Sequence, residues 1–413
     1  MTTLPPRAPH THASRLTWPL YAYAALGEFV LLYPLYAVLF DQSGLSVTRI
    51  SSLFVLWSLT SVAVSVPAGA WADVVPRRHL LAAAPLLAAA GFSLWLLWPG
   101  YWAFASGFVL WGAGGALASG ALEALVYTEL GHRGATDRYA QVMGVARALD
   151  VAAVGAATLL AIPVMAHGGY TAIGAGSIAA CVLCALAALA LPEHRAGTAA
   201  TDHADGSETG EGQPPGYRTA LREGLSQARS SRRVRGAVML VVVVSSFWTM
   251  LEEYVPLLAV EAGVPTDTVP VVVLVVWVCI TIGGLLAGPV SRLPVGAFAL
   301  LLGLAAPAIA VGALLAGPPG WVLLGTGFGA CQAAGVVADA RLQDRITGSS
   351  RATVTSVAGL GADALTTASY LLYAGVFTLT GHSAAFALFA APYLVASLFL
   401  VRSRSGRASA GAR

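Results

Sequence analysis

Long apolar runs separated by short polar turns fill the chain from residue 17 to residue 401. A helix that crosses the hydrocarbon core of a bilayer needs about 20 mostly apolar residues. Twelve runs meet that length: 17–40, 50–71, 79–98, 101–126, 139–164, 170–191, 235–260, 268–290, 295–316, 320–340, 353–379 and 382–401. Pro99-Gly100, Gly168-Gly169 and Gly317-Pro-Pro-Gly320 punctuate short turns between them. The pattern predicts an all-α membrane protein with 12 transmembrane helices, numbered here as spans 1 to 12.

The second half repeats the first. Gly107-Phe-Val-Leu-Trp-Gly-Ala-Gly114 in span 4 aligns without gaps on Gly320-Trp-Val-Leu-Leu-Gly-Thr-Gly327 in span 10. In the same register Arg138 falls on Arg351 and Asp150 on Asp363, and Pro34 to Val38 of span 1 resembles Pro256 to Val260 of span 7. A six-helix unit ends on the side where it began, so the two copies run parallel. They predict two pseudo-symmetric six-helix bundles around a midplane site. The expected segments are a cytoplasmic N-terminal segment (1–16), a first bundle (17–191), a cytoplasmic linker (192–234), a second bundle (235–401) and a cytoplasmic tail (402–413).

Charge sets the orientation. All 23 basic residues are Arg. Only Arg49 falls in the loops of one side and Arg147 lies inside span 5; the others mark the opposite side, which is therefore cytoplasmic. The linker begins with Asp202, Asp205, Glu208 and Glu211 among Gly, Ser and Pro, a composition of disorder. From Tyr217 to Arg233 it sets Leu221, Leu225 and Ala228 on one stripe among arginines. That stripe fits an interfacial helix on an anionic inner leaflet, and equally a solvated charged helix.

Composition narrows the chemistry. The chain is 57% hydrophobic and 10% charged, where soluble domains carry about 25% charged residues. Lys is absent, which removes a Walker A loop, a Schiff-base nucleophile and pyridoxal phosphate chemistry. Asn is absent, which removes Asn-linked glycans. A net charge of +3 without a long basic run gives no reason to expect nucleic acid as a partner. Cys181, Cys184, Cys279 and Cys331 all lie in apolar runs with no His nearby and read as packing residues. No metal site and no cofactor are expected. The N-terminus is polar to about Leu16 and the first apolar run is too long for a cleaved signal, so none is expected.

Charges at membrane depth cost about 2.5–3.5 kcal/mol each on insertion scales and face a cavity or a partner. Spans 3, 6, 9 and 12 have none in their interiors and are free to face lipid; spans 2 and 8 also have none. The rest carry Glu28 (span 1), Glu123 (span 4), Arg147 and Asp150 (span 5), Glu252 and Glu253 (span 7), Asp339 (span 10) and Asp363 (span 11). A cavity is thus expected between spans 1, 4, 7 and 10, with 5 and 11 beside them. Candidate lining residues are Tyr21, near Glu28 on one face of span 1; Ser245, Trp248 and Thr249, which share a face with Glu252; and Arg147, Gln332 and Asp363. Acid, hydroxyl and aromatic groups together suit a polar or cationic organic solute. Glu28, Asp150, Glu252 and Glu253 are the candidate proton-coupling groups, each with the alternative of an acid satisfied by a neighbouring helix. Arg147 and Asp150 stand three apart and either pair along the helix or leave Arg147 to bridge helices or bind an anion. Asp363 has Leu360 where Arg147 would align, so its partner must come from elsewhere.

Between spans 2 and 3 stands Gly69-Ala-Trp-Ala-Asp73-Val-Val-Pro-Arg77-Arg78. With the twelve spans, the duplication and the long 6–7 linker, the chain resembles the major facilitator superfamily. The resemblance implies that fold and an inner-gate role for Gly69, Asp73, Arg77 and Arg78. Asp73 would dock on the start of span 11, near Arg351, Ala352 and Thr353, and Arg77 would meet Glu123 or Glu129 at the end of span 4. Three departures stand out. Pro76 replaces the usual Gly. Span 5 reads Ala148-Leu-Asp-Val-Ala-Ala-Val-Gly155, without the Gly-Pro pattern of proton-linked drug antiporters. The second-half loop Gly288-Pro-Val-Ser-Arg292 lacks the Asp.

The resemblance implies a monomeric secondary transporter of small organic solutes in the cell (inner or plasma) membrane. It would work by rocker-switch alternating access with proton-coupled efflux, or alternatively proton-coupled uptake of a small metabolite. A non-transporting receptor or scaffold is the reading from another class. An intramembrane protease reading of Glu252-Glu253 fails because position 257 is Leu, and no nucleophile or metal motif compensates. No enzyme is expected.

Overall fold

The computed structural model describes residues 11–194, 232–315, 317–346 and 351–410, without the side chains of 11–15, 66, 70, 72, 73, 232, 233, 351–353 and 403–410. The linker stretch proposed as an interfacial helix lies outside the described residues except for the backbone of Arg232 and Arg233. Among the described residues all regular structure is helical.

The helices fall on the twelve apolar runs. They are α1 (Thr11–Gly27), α2 (Tyr36–Gln42), α3 (Val47–Val74), α4 (Arg77–Leu97), α5 (Tyr101–Ala118), α6 (Ala121–His132), α7 (Tyr139–Leu189), α8 (Arg232–Glu252), α9 (Val255–Glu261), α10 (Val269–Leu285), α11 (Ala287–Ser291), α12 (Val295–Leu315), α13 (Pro318–Gln343) and α14 (Arg351–Ala410). Among the described residues, eight helical stretches are long and apolar enough to cross a membrane. Two of the eight join consecutive spans. In α7 the turn between spans 5 and 6 is made at Gly169 (φ 59°), and in α14 the turn between spans 11 and 12 at Gly381 (φ 78°). A positive φ at these sharp reversals is open to glycine at little cost.

Four runs read as single spans are broken. Span 1 divides into α1 and α2, span 4 into α5 and α6, span 7 into α8 and α9, and span 8 into α10 and α11. Proline stands at two of the breaks. It has no N–H and clashes with the carbonyl four residues back. Pro256 sits in the first turn of α9, where that clash falls on Glu252, the last residue of α8, and Pro34, its match in the repeat, lies in the turn before α2. In span 4 the break falls at Ser119 and Gly120, the latter at φ 75°.

The chain forms two compact units. The first comprises Met1–Tyr33 and Leu56–Glu208, the second Pro34–Val55 and Thr209–Arg413. Inside the first, α4 packs on α5 and α7, and α7 on α1. Inside the second, α12 packs on α13 and α14, α10 on α13, and α8 on α14. The repeat-matched glycines explain part of this closeness. A Cβ on Gly107 would stand 2.0 Å from Trp95 Nε1, and one on Gly320 2.7 Å from the Gly312 carbonyl oxygen. Membrane helices gain association energy from such small-residue contacts, where backbones approach. Large side chains of spans 3, 6, 9 and 12 point outward, among them Leu86, Leu186, Leu304 and Phe399.

Candidate functional site

The break in span 1 exposes backbone groups that a helix would have satisfied. The Leu32 N–H is taken up by Ser177 Oγ of α7 at 3.1 Å, and the Val30 N–H by the Glu28 carbonyl at 2.9 Å. Buried backbone donors left without partners are expensive, so Ser177, fully buried, holds the irregular segment in place. The break carries Glu28 and Tyr33 out of helical register, and the Tyr33 hydroxyl hydrogen-bonds the Glu28 carboxylate.

Beside this break lies a cavity of about 380 Å³ within the first unit. Glu28, Tyr23 and Tyr33 form one side, Phe92 and Trp111 the floor, and Ser119, Gly120 and Glu123 the edge at the break of span 4. Arg147, Asp150, Cys181 and Cys184 come from α7. Arg147 Nη2 meets Glu123 Oε1 at 2.9 Å, and its Nη1 stands 3.7 Å from Asp150 Oδ2. Arg147 therefore both bridges to α6 and pairs along its own helix. Among the described residues Glu28 has no ion pair.

Other expected residues lie elsewhere. Tyr21 packs against the cluster of Leu16, Leu20, Leu125 and Val142, while its neighbour Tyr23 lines the cavity. Ser245, Trp248, Thr249, Glu252, Glu253, Gln332 and Asp363 belong to the second unit and do not line this cavity. There Trp248 is buried against Phe328, Thr249 donates to its own helix, and the Glu252 carboxylate is hydrogen-bonded by Trp277. Glu253 accepts from Tyr36 of α2. Asp363 is exposed.

In the stretch Gly69 to Arg78, for which a gate role is expected, the Asp73 side chain lies outside the described residues, as do those of residues 351–353. Arg77 does not reach either expected acid. Its guanidinium donates to the Ala124 carbonyl and Thr128 Oγ1, both at 3.1 Å. Glu123 is drawn to Arg147 instead, and Glu129 is held by His194 Nδ1 at 2.9 Å and Arg133 at 3.6 Å. The N-terminus of α4 is capped by Glu193, which accepts from the Arg77 N–H at 2.7 Å and the Arg78 N–H at 3.3 Å. A carboxylate at a helix start satisfies orphan donors and complements the dipole.

The family model of the Major Facilitator Superfamily matches residues 17–363. No curated protein sequence matches the chain. Among solved structures, a mutant form of the nucleoside transporter NupG is similar with a TM-score of 0.76, at 12% identity over 94% of this chain and 99% of that one. A D-xylose-proton symporter gives a TM-score of 0.65, at 13% identity over 95% and 97% of the two chains. A bacterial homolog of the human lysosomal transporter Spinster, in an inward-facing and unoccupied conformation, gives 0.65 at 14% identity over 95% and 96%. At such identities these likenesses speak for the fold. The family match runs through both halves of the duplication, and by it the chain belongs to the Major Facilitator Superfamily, an integral membrane transport protein and not an enzyme.

Proposed function

We propose that this protein exports small organic solutes by proton-coupled antiport, its two six-helix halves (17–191 and 235–401) alternating access to a central site, with both termini and the linker in the cytoplasm. The observation that carries the reading is Glu28. It is an acid at the break of a discontinuous helix, on the wall of a solute-sized cavity, held by a tyrosine hydroxyl, with the Arg147 charge at longer range and no ion pair among the described residues. Discontinuous helices and midplane acids are where secondary transporters bind substrates and coupling ions. Proton and solute would exchange at Glu28, with Asp150 at the Arg147 cluster and Glu252 and Glu253 in the second unit as further proton-handling candidates. Ser245, Trp248, Thr249, Gln332 and Asp363 would contribute from the second half. Gly69, Asp73, Arg77 and Arg78 would latch the inner gate. The arrangement supporting this is Arg77 bracing the start of α4 to α6. A working monomer in a bilayer with an anionic inner leaflet completes the reading.

The likeness to a D-xylose-proton symporter favours proton-coupled uptake as the second reading. The sign of the driving gradient separates the two. Proteoliposomes are given a pH step and a panel of labelled uridine, D-xylose and ethidium. Accumulation opposite to proton flow supports antiport, and accumulation along it supports uptake. Glu28→Gln should abolish gradient-driven accumulation yet retain solute exchange. A Glu28→Gln protein that still accumulates solute, or a native protein that moves none of the panel, overturns the proposal. Asp73→Asn should cripple transport with membrane insertion intact.

A further inference from the structure

We propose that the cavity of the first unit takes organic monocations, an amine or quaternary ammonium on an aromatic or apolar body. This rests on the reading of that cavity as the substrate site. Charge is the first argument. Glu28, Glu123 and Asp150 line the space against the single base Arg147. Both terminal nitrogens of Arg147 already face carboxylates, at 2.9 Å and 3.7 Å. A guanidinium recognises a carboxylate or phosphate through a two-pronged fork, and here one prong is hydrogen-bonded to Glu123 while the other faces Asp150. An anionic solute would meet three acids and compete with two of them for the one base.

The wall beside Glu28 is the second argument. Tyr33 stacks on Trp111 with ring centroids 5.6 Å apart and 17° between planes, and Trp111 stacks in turn on Phe108 at 5.8 Å and 22°. Phe92 meets Trp111 edge-on at 5.6 Å. Aromatic faces attract cations, and quaternary ammonium groups most characteristically. The Trp111 faces are taken by its stacking partners, so Trp111 holds Tyr33 from behind, and Glu28 with the rings of Tyr23, Tyr33 and Phe92 on the cavity lining supply the ionic and the π component of such recognition. Ala88, Gly115 and Ala118 add small apolar residues to the same lining, which gives a hydrocarbon body contact beside the acids.

The test uses the purified full-length protein and three probes of like shape: phenyltrimethylammonium, its neutral isostere tert-butylbenzene, and benzenesulfonate. In equilibrium dialysis the cation should bind at least ten times more tightly than either of the others. Glu28→Gln and Trp111→Leu should each weaken cation binding tenfold or more. In a Ser119→Cys protein, the cation should slow methanethiosulfonate labelling at that exposed position on the same cavity, with the buried Cys181 and Cys184 as slow background. Equal binding of tert-butylbenzene, preference for benzenesulfonate, no cation binding, or unchanged labelling in the presence of the cation overturns the assignment. pH-driven flux of uridine or D-xylose in a protein that binds no cation would overturn this assignment while leaving the transport proposal standing. Tight cation binding without any gradient-driven flux would do the reverse.

Discussion

The Tyr36 hydroxyl donates to the Glu253 carboxylate, and each residue sits at the broken point of its own helix, Tyr36 opening α2 and Glu253 following α8. Around this bond Ser51 Oγ lies 2.6 Å from the Tyr254 hydroxyl, and Tyr254 stacks on Tyr373 with centroids 3.9 Å apart. Gln42 Nε2 donates to Thr266 Oγ1 at 2.8 Å. The segment 34–55 is thereby fastened within the second unit. Hydrogen bonds to charged groups contribute about 1.5–3 kcal/mol. Tyr36→Phe should therefore loosen the fastening, and a reporter Ser51→Cys, buried in the native protein, should label several times faster with a membrane-impermeant maleimide. Equal labelling would remove the bond from that role.

Arg147 offers a separation of stability from function. Its side chain is 67% exposed, so its ion pairs are screened and contribute less than about 1 kcal/mol to stability. Arg147→Gln should leave the melting temperature nearly unchanged. It should cripple solute flux, because Glu123 and Asp150 lose the one base that lines the cavity with them. A large fall in melting temperature would assign Arg147 to the scaffold.

Glu129 is the opposite case. It is 1% exposed and accepts from the His194 backbone N–H at 2.6 Å, from its ring and from Arg133. Removing the acceptor breaks these contacts, but His194 is exposed and Arg133 partly so; both can turn to water, and the loss is that of one hydrogen bond to a charged group, about 1.5–3 kcal/mol. Glu129→Ala should lower the thermal midpoint by several degrees, and Glu129→Gln, which keeps one carbonyl oxygen, by less. Differential scanning fluorimetry reads both.

Gly283 and Gly329 bring α10 and α13 together. A Cβ on Gly283 would lie 2.0 Å from the Gly329 carbonyl oxygen, which is backbone and has no rotamer to give. Overpacking of this kind costs about 1–3 kcal/mol. Gly283→Ala should destabilise the second unit, seen as earlier loss of protease resistance in fragments from residues 232–410. Gly284→Ala, one residue on and 3.8 Å from the end of Gln332, is the matched control and should be tolerated.

Much of this architecture is legible in residue order. Twelve apolar runs, arginines on one side and a repeat marked by Gly107 and Gly320 place nearly every helix, because lipid allows little else than continuous apolar helix. The breaks were harder to see. Pro34 and Pro256 are visible in the sequence, yet proline is tolerated in membrane helices, and the side chain that accepts from the irregular segment, Ser177 for the Leu32 N–H, is not visible from spacing. Glu28, Arg147, Asp150 and Glu123 stand out in the sequence as rare charges. Tyr33, Trp111 and the two cysteines of span 6 do not, since apolar and aromatic residues on a cavity wall carry the same pattern as those facing a neighbour helix. The expected partner of Arg77 went astray for a related reason. Spacing puts an acid near it, but Glu123 lies closer to Arg147 and Glu129 to His194, and Glu193 beyond span 6 was out of register with any repeat.

The membership of Pro34–Val55 in the second unit makes the polypeptide cross between its two bodies at three points in sequence, not at the linker alone. Severing the linker would leave two further connections intact. A fragment ending before the linker would carry Tyr36, Phe40, Leu45 and Phe54, all buried in the whole protein, with nothing to cover them. Under the proposed alternation the packing of this segment would have to open in each cycle, and a chain cut at the linker would leave an apolar face at that end.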